Sequence, residues 1–363
     1  MSKAIKRIGI MTSGGDCAGL NAAIRGVTMR AILGYGWEVY GIRDGTQGLI
    51  DRPIRAQRLT LDDVGVAMMR QGGTMLGTIN KGDPFADPMP DGTTRDRTPD
   101  IIEALKTLEI DAVVGIGGDG GLSILSRIMR AGGVHFVGIP KTMDNDVPLT
   151  ELSIGYHSSL AVATEALDRL QPTAASHARV MILEVMGRDA GHNALEAGIA
   201  GGADIILIPE IPWNEAAVMK KMAAIKASGR TFALVVVSEA VRTQNGERVK
   251  KSFGDGQTRY GGIGDYFGQL LAEKTGAETR VTVLGHVQRG VMPNHTDRLL
   301  AQAFGVAAAD LLAKSQFDHM VAWQNREIVA IPLLEATQKS QTVDLSGTMV
   351  RTARALGICL GDS

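Results

Sequence analysis

The sequence predicts an α/β protein built on two open sheets of mainly parallel strands. Glycine is plentiful, at 45 residues, while aromatic residues make up only 4%. The glycines fall repeatedly just after short β-branched runs, which is the rhythm of strand, tight turn and helix. Those runs are continuously apolar rather than alternating, as parallel strands covered on both faces require. They place strands at residues 8–11, 38–42, 112–116, 135–139, 180–185, 205–208, 233–237 and 281–284. Between them lie helical segments such as N-A-A-I-R-G-V-T-M-R-A-I-L, where Ile24, Val27 and Ala31 recur at helical spacing and Asn21 is positioned to cap the start. Residues 242–260, polar and interrupted by glycine, read as an exposed loop.

The totals narrow the function. A chain of 363 residues, 44% of them apolar, holds one large or two ordinary domains. Lys plus Arg number 38 against 39 Asp plus Glu, so no global field draws in nucleic acid or a membrane surface. An anionic ligand must be held locally. Cys17 and Cys359 lie at opposite ends without metal or redox spacing, which fits a reducing compartment and two ordinary thiols. No apolar run is long enough to span a bilayer, and I-G-I-M is too short for a signal-peptide core. A cytoplasmic protein is expected.

In open α/β sheets ligands bind beyond the carboxyl ends of the strands, and every chemically interesting cluster here is expected at such an end. T-S-G-G-D (Thr12 to Asp16) follows the first strand and precedes a helix, so its glycines let backbone N–H groups approach a phosphate; a plain strand-to-helix turn would use glycine too. G-I-G-G-D-G-G (Gly115 to Gly121) formally contains GxGxxG. A dinucleotide site, however, wants an acidic residue after the next strand, where Pro140 and Lys141 stand. Asp119 inside the turn would repel a bare pyrophosphate, so the glycines suit a magnesium-bound polyphosphate better. There is no GxxxxGK[ST].

P-K-T-M-D-N-D then sets a cation, a hydroxyl and two carboxylates in one short segment. Lys141 suits neutralisation of a transferring phosphoryl group and Thr142 donation of a hydrogen bond to it. Asp144 and Asp146 suit one aimed at a hydroxyl and the other at a metal. The competing reading is a solvated loop with an Asx turn at Asn145. Basic groups follow at Arg179, at M-G-R (Met186, Gly187, Arg188), and at Arg280, His286 and Arg289 around L-G-H-V-Q-R-G. Arginine forks with a histidine suit a phosphomonoester, although a lone exposed arginine is usually an ion pair of small worth. Glu239 offers an acceptor for sugar hydroxyls.

Together, S-G-G-D, G-G-D-G, P-K-T-M-D-N-D, M-G-R and L-G-H-V-Q-R-G resemble the 6-phosphofructokinase family in order and spacing, from about Lys6 to about Leu312. The resemblance implies the phosphofructokinase fold: two similar three-layer αβα, Rossmann-like domains with mainly parallel sheets. It implies a phosphoryl-donor domain over 1–145 with about 290–325, and a sugar-phosphate domain over 146–289 with the C-terminal segment. The implied reaction is magnesium-dependent transfer to the 1-hydroxyl of fructose 6-phosphate, in glycolysis, by a homotetramer or homodimer with shared active sites. Carried over, Asp144 is the general base, Asp119 a magnesium ligand, and Asp146 lies close to the metal. Gly15, Gly118, Gly120 and Gly121 face the donor, while Thr142, Lys141 and Arg188 attend the moving phosphoryl. Met186, Gly187 and Glu239 contact the sugar. Arg179, Arg280, His286 and Arg289 hold its 6-phosphate, with Arg179 and Arg280 reaching in from a neighbouring subunit.

Two positions bear on the donor. Gly120 stands where pyrophosphate users of the family carry an aspartate that excludes the nucleotide, and Lys141 stands where many bacterial ATP users carry glycine. ATP is favoured, because an aspartate at 120 would exclude ATP by volume and charge whereas a lysine adds a cation either donor can use. Pyrophosphate is the alternative. Asn80 and Lys81 replace an expected arginine bridging donor and sugar phosphate. Met29 and Gln171 stand where effector-binding arginines are expected, although Arg25 is matched. Another G-G-D-G kinase, or a nonenzymatic sugar-phosphate sensor, is the more distant reading.

Overall fold

A computed structural model describes residues 5–252 and 258–362. The chain forms two compact units, one of Met1–Ser158 with Arg289–Ser340, the other of Ser159–Gln288 with Gln341–Ser363. The first unit extends past residue 145 because residues 141–154 fold back onto its own sheet. Lys141 pairs with Ile154 as a parallel bridge, and Trp323 N–H donates to Thr150 Oγ1 at 3.0 Å.

The first unit's sheet runs, edge to edge, through Glu327–Pro332, His319–Gln324, His135–Pro140, Ala112–Gly117, Arg7–Thr12, Glu38–Ile42 and Ala56–Leu59. Ala56–Leu59 and Glu327–Pro332 pair antiparallel with their neighbours; the rest is parallel. Ala112–Gly117 is buried along its whole length, which is why its sequence does not alternate. The strand order reverses between Arg7–Thr12 and Ala112–Gly117, and a crevice opens at the carboxyl ends of such a pair.

The second unit carries a four-stranded, all-parallel sheet in the order Thr279–Val283, Val180–Val185, Ala233–Ser238, Ile205–Leu207. Apolar clusters cover it on both faces. Three-layer units are therefore present, but the two sheets differ in size and edge.

Some local expectations are corrected. The first long helix is Leu20–Tyr35 with Gly19 at its N-cap, so Asn21 lies inside it. Asn21 instead accepts from Met75 N–H at 2.7 Å and donates to Gln71 O at 3.2 Å, trading a local cap for a tertiary tie. Within 242–260, Lys250–Ser252 pairs antiparallel with Thr258–Tyr260, so part of the expected loop is a ribbon; residues 253–257 lie outside the described residues. Both cysteines are buried and free, and burial pushes the Cys17 thiol up to about 12. Among the described residues no helix is long and apolar enough to cross a membrane.

Candidate functional site

In the first unit three turns meet at the reversal point. Ser13 N–H donates to Ile116 O at 2.8 Å, lashing T-S-G-G-D to the end of the neighbouring strand. A Cβ on Gly121 would come within 2.9 Å of Ser13 Oγ, so glycine there lets the two turns close together. Gly14 adopts φ +82°, a left-handed conformation that favours glycine. Lys141 N–H donates to Gly117 O at 2.9 Å, and its ammonium donates to Gly15 O, so the third turn is tied to both others.

K-T-M-D-N-D is buried throughout, which rules out the solvated loop. Lys141 is 4% exposed, Asp144 3% and Asp146 4%. Burial lowers the Lys141 amine from its ordinary value, Arg289 lowers it further, and Asp144 and Asp16 pull the other way. Asn145, at φ 52°, uses its side chain to fix the turn: it donates to Glu151 O and accepts from Ser153 N–H, both at 3.1 Å. Thr142 Oγ1 accepts Asp144 N–H at 3.1 Å and lies 3.5 Å from Asp144 Oδ2. Asp144 is thus pre-oriented by the very threonine predicted to work beside it.

Asp119 begins the helix Asp119–Gly132. Its Oδ1 accepts Gly120 N–H at 2.7 Å and its Oδ2 accepts the Ser340 hydroxyl at 2.6 Å. Among the described residues no group of three His, Cys, Asp or Glu forms a ready metal cage. One oriented carboxylate beside glycine-rich turns fits magnesium, which takes one or two carboxylates plus phosphate oxygens and water. Gly120 and Gly118 leave room for a donor: a Cβ on Gly120 would meet nothing within 4 Å, and one on Gly118 only Lys141 O at 3.5 Å. Asn80 and Lys81 are exposed, just after a segment joined to the first turn by Gly14 N–H donating to Ile79 O at 3.0 Å. Arg289 also belongs to the first unit, where its Nη1 donates to Asp16 O at 3.0 Å.

In the second unit the M-G-R turn follows Val180–Val185. Glu239 Oε1 accepts the N–H groups of Gly187 (3.4 Å) and Arg188 (3.1 Å), and Gln288 Oε1 accepts that of Met186 (2.8 Å). Arg188 is held at φ 49°. Glu239 therefore shapes the turn that displays Arg188, a role beyond the sugar contact expected of it. His286 is exposed on the short helix Gly285–Gln288 after the Thr279–Val283 strand.

Arg179 and Arg280 correct the expectation that all clusters sit at carboxyl ends. Arg179 precedes Val180 and Arg280 is the second residue of its strand, so both stand at the amino edge of this sheet. There they share Glu278, with Arg179 Nη2 at 2.9 Å and Arg280 closing the same carboxylate. The Arg179 hydrogen bond holds the Glu278 carboxyl below its ordinary value. Met186, Glu239 and His286 stand at the opposite edge. A strand of this length separates the two sets by about 17–20 Å.

Ser340, Gln288 and Ser13 were not singled out from the sequence. Gln288 and Ser13 lie inside L-G-H-V-Q-R-G and T-S-G-G-D, and that membership is the clue the sequence offers. Ser340 lies in a polar stretch that carries no such clue.

With that geometry in view, the likenesses to known proteins are specific. The phosphofructokinase family profile matches residues 7–312. ATP-dependent 6-phosphofructokinase 1 of Synechocystis sp. is 61% identical over 358 residues, covering 99% of both chains. Among solved structures, phosphofructokinase of Pichia pastoris in the T-state is 32% identical with a TM-score of 0.79 over 92% of this chain; the match spans 36% of that longer chain. The pyrophosphate-dependent enzyme of Nitrosospira multiformis, 20% identical, shares the fold with a TM-score of 0.81 over 99% of this chain and 93% of its own. The chain belongs to the phosphofructokinase family.

Proposed function

We propose that the chain is an ATP-dependent 6-phosphofructokinase, which transfers the terminal phosphoryl group of ATP to the 1-hydroxyl of fructose 6-phosphate. The observation that carries this is the full-length likeness to a relative named for that reaction at 61% identity. The absence of a side chain at Gly120 supports the choice of donor, since a Cβ there would meet nothing within 4 Å and the flank is left open. The Lys141 ammonium is turned to Gly15 O, so it serves the shape of the first turn and does not by itself argue for pyrophosphate.

The residue roles follow from the chemistry. Asp144, buried and aimed by Thr142, accepts the 1-hydroxyl proton as that oxygen attacks. Backbone N–H groups around Gly15, Gly118 and Gly121 hold the donor phosphates, with the side-chain-free Gly120 giving them room and Asn80 and Lys81 beside them. Asp119, with Asp146 as its expected neighbour, would hold magnesium, which would supply neutralisation of charge on the phosphoryl oxygens. Arg188 and Thr142 attend the phosphoryl group in flight, while Met186, Gly187 and Glu239 position the sugar.

The split of the basic residues supports an oligomer. Arg179 and Arg280 stand a strand's length from Met186, Glu239 and His286 within one sheet, so one phosphate cannot be held by both sets of a single chain. A neighbouring subunit supplies the arginine pair to complete His286 and Arg289. A homodimer or homotetramer with shared sites, acting in the cytoplasm, is the working form. The direct test incubates purified protein and magnesium with fructose 6-phosphate and either ATP or pyrophosphate. Fructose 1,6-bisphosphate should form with ATP; formation with pyrophosphate alone, or with neither, overturns the reading.

A further inference from the structure

We propose that Ser340 is a positioning residue of the donor site, fixing Asp119 for a magnesium-bound nucleotide; this rests on the functional reading above. The Ser340 hydroxyl donates to Asp119 Oδ2 at 2.6 Å, across 221 positions of sequence, while Gly120 N–H holds Oδ1 at 2.7 Å. Two donors on two oxygens fix the plane of the carboxylate. A carboxylate oxygen carries two lone pairs, so a hydrogen bond and a metal can share one oxygen. Groups that orient a metal ligand in this way raise metal affinity without touching the metal.

Ser340 does not reach Asp119 on a loose tail. Just before it, Leu333 and Ala336 are buried in the same apolar cluster as Leu122 and Leu125 of the Asp119 helix. Just after it, the chain enters the second unit, where Val343 is buried and its N–H donates to Glu210 Oε1 at 2.9 Å. Within its own unit the serine is therefore tethered by Leu333 and Ala336 to the core beneath the Asp119 helix. It also lies beyond the residues 7–312 that the family profile matches, so a segment outside that core contributes a group to the donor turn.

The test measures Mn²⁺ binding in the presence of ADP by paramagnetic resonance, on the full chain. Ser340→Ala should weaken Mn²⁺ binding roughly tenfold, the lower end of what losing such an orienting group costs. The magnesium concentration for half-maximal activity should rise in parallel, with the fructose 6-phosphate KM and the thermal midpoint unchanged. Ser340→Thr, which keeps the hydroxyl, should restore binding. Wild-type Mn²⁺ affinity in Ser340→Ala, or failure of Ser340→Thr to restore it, overturns the proposal. So does unchanged affinity in Asp119→Asn, which would put the metal elsewhere. A wild type inert with ATP, magnesium and fructose 6-phosphate counts against the functional reading, whereas an active wild type with an unaltered Ser340→Ala counts against this inference alone.

Discussion

The reversal-point turns of the first unit and the basic groups of the second handle charge in opposite ways. Lys141, Asp144 and Asp146 are buried together in a turn that Lys141 ties to both neighbouring turns through backbone and side-chain hydrogen bonds. Arg188, Arg280 and His286 are exposed, and the basic set is split between two edges of one sheet. Buried charge is costly unless its geometry is fixed, so the first arrangement suits chemistry that needs a pre-set orientation. Exposed arginines cost little and suit the capture of a soluble anion. The comparison teaches that the buried set has the fixed geometry the proposed reaction needs, while the exposed set has the accessibility that the proposed recognition of the sugar phosphate needs.

Asp144→Ser should break the reactive side most severely. Removing a general base cuts kcat by about a thousandfold, with the fructose 6-phosphate KM within a fewfold, because the base acts mainly in the transition state. Steady-state kinetics that show a raised KM and intact kcat would exchange the roles assigned to the two units. Arg280→Ala should act on the recognition side, raising that KM by about ten- to a hundredfold, the worth of a charged hydrogen bond to phosphate. Mixing inactive Asp144→Ser with Arg280→Ala subunits sharpens this: if neighbouring chains complete each other, hybrids regain activity, and no recovery after verified exchange would sink the shared site.

Gly120→Asp should raise the ATP KM by about tenfold through like-charge repulsion. Its backbone should be little strained, since a Cβ at 120 meets nothing within 4 Å. An unchanged ATP KM would remove the donor argument. The smallest effect is a pH dependence at the arginine pair. Glu278 is held below its ordinary value of 4.5, so its contribution is present above that value and is lost as pH falls through the lowered one. The difference in Tm between wild type and Glu278→Gln should be small, constant near neutrality, and vanish in acid.

Much of this was legible in the chain itself. The parallel strands announced themselves because burial on both faces leaves continuous apolar runs, as at Val180–Val185. The order of chemistry in K-T-M-D-N-D was equally plain, but not its burial, since charge ordinarily signals exposure and only the fold surrounds it. The edge occupied by Arg179 was available from chain direction: a residue before a parallel strand stands at its amino end. The hairpin His319–Gln324 and Glu327–Pro332 turns at Asn325 and Arg326, both with positive φ, and its Asn-centred turn between apolar runs was a signal passed over. Ser340 depends wholly on tertiary packing, with no local pattern to mark it.

The station of Arg179 and Arg280 at the far edge of their sheet has a consequence for how such a catalyst behaves when scarce. If their work is done in a neighbour's site, each folded chain is by itself an incomplete machine, and dilution alone silences it while every helix and strand stays intact. Specific activity then becomes a gauge of association, falling with protein concentration along the curve that light scattering traces for the particle's mass.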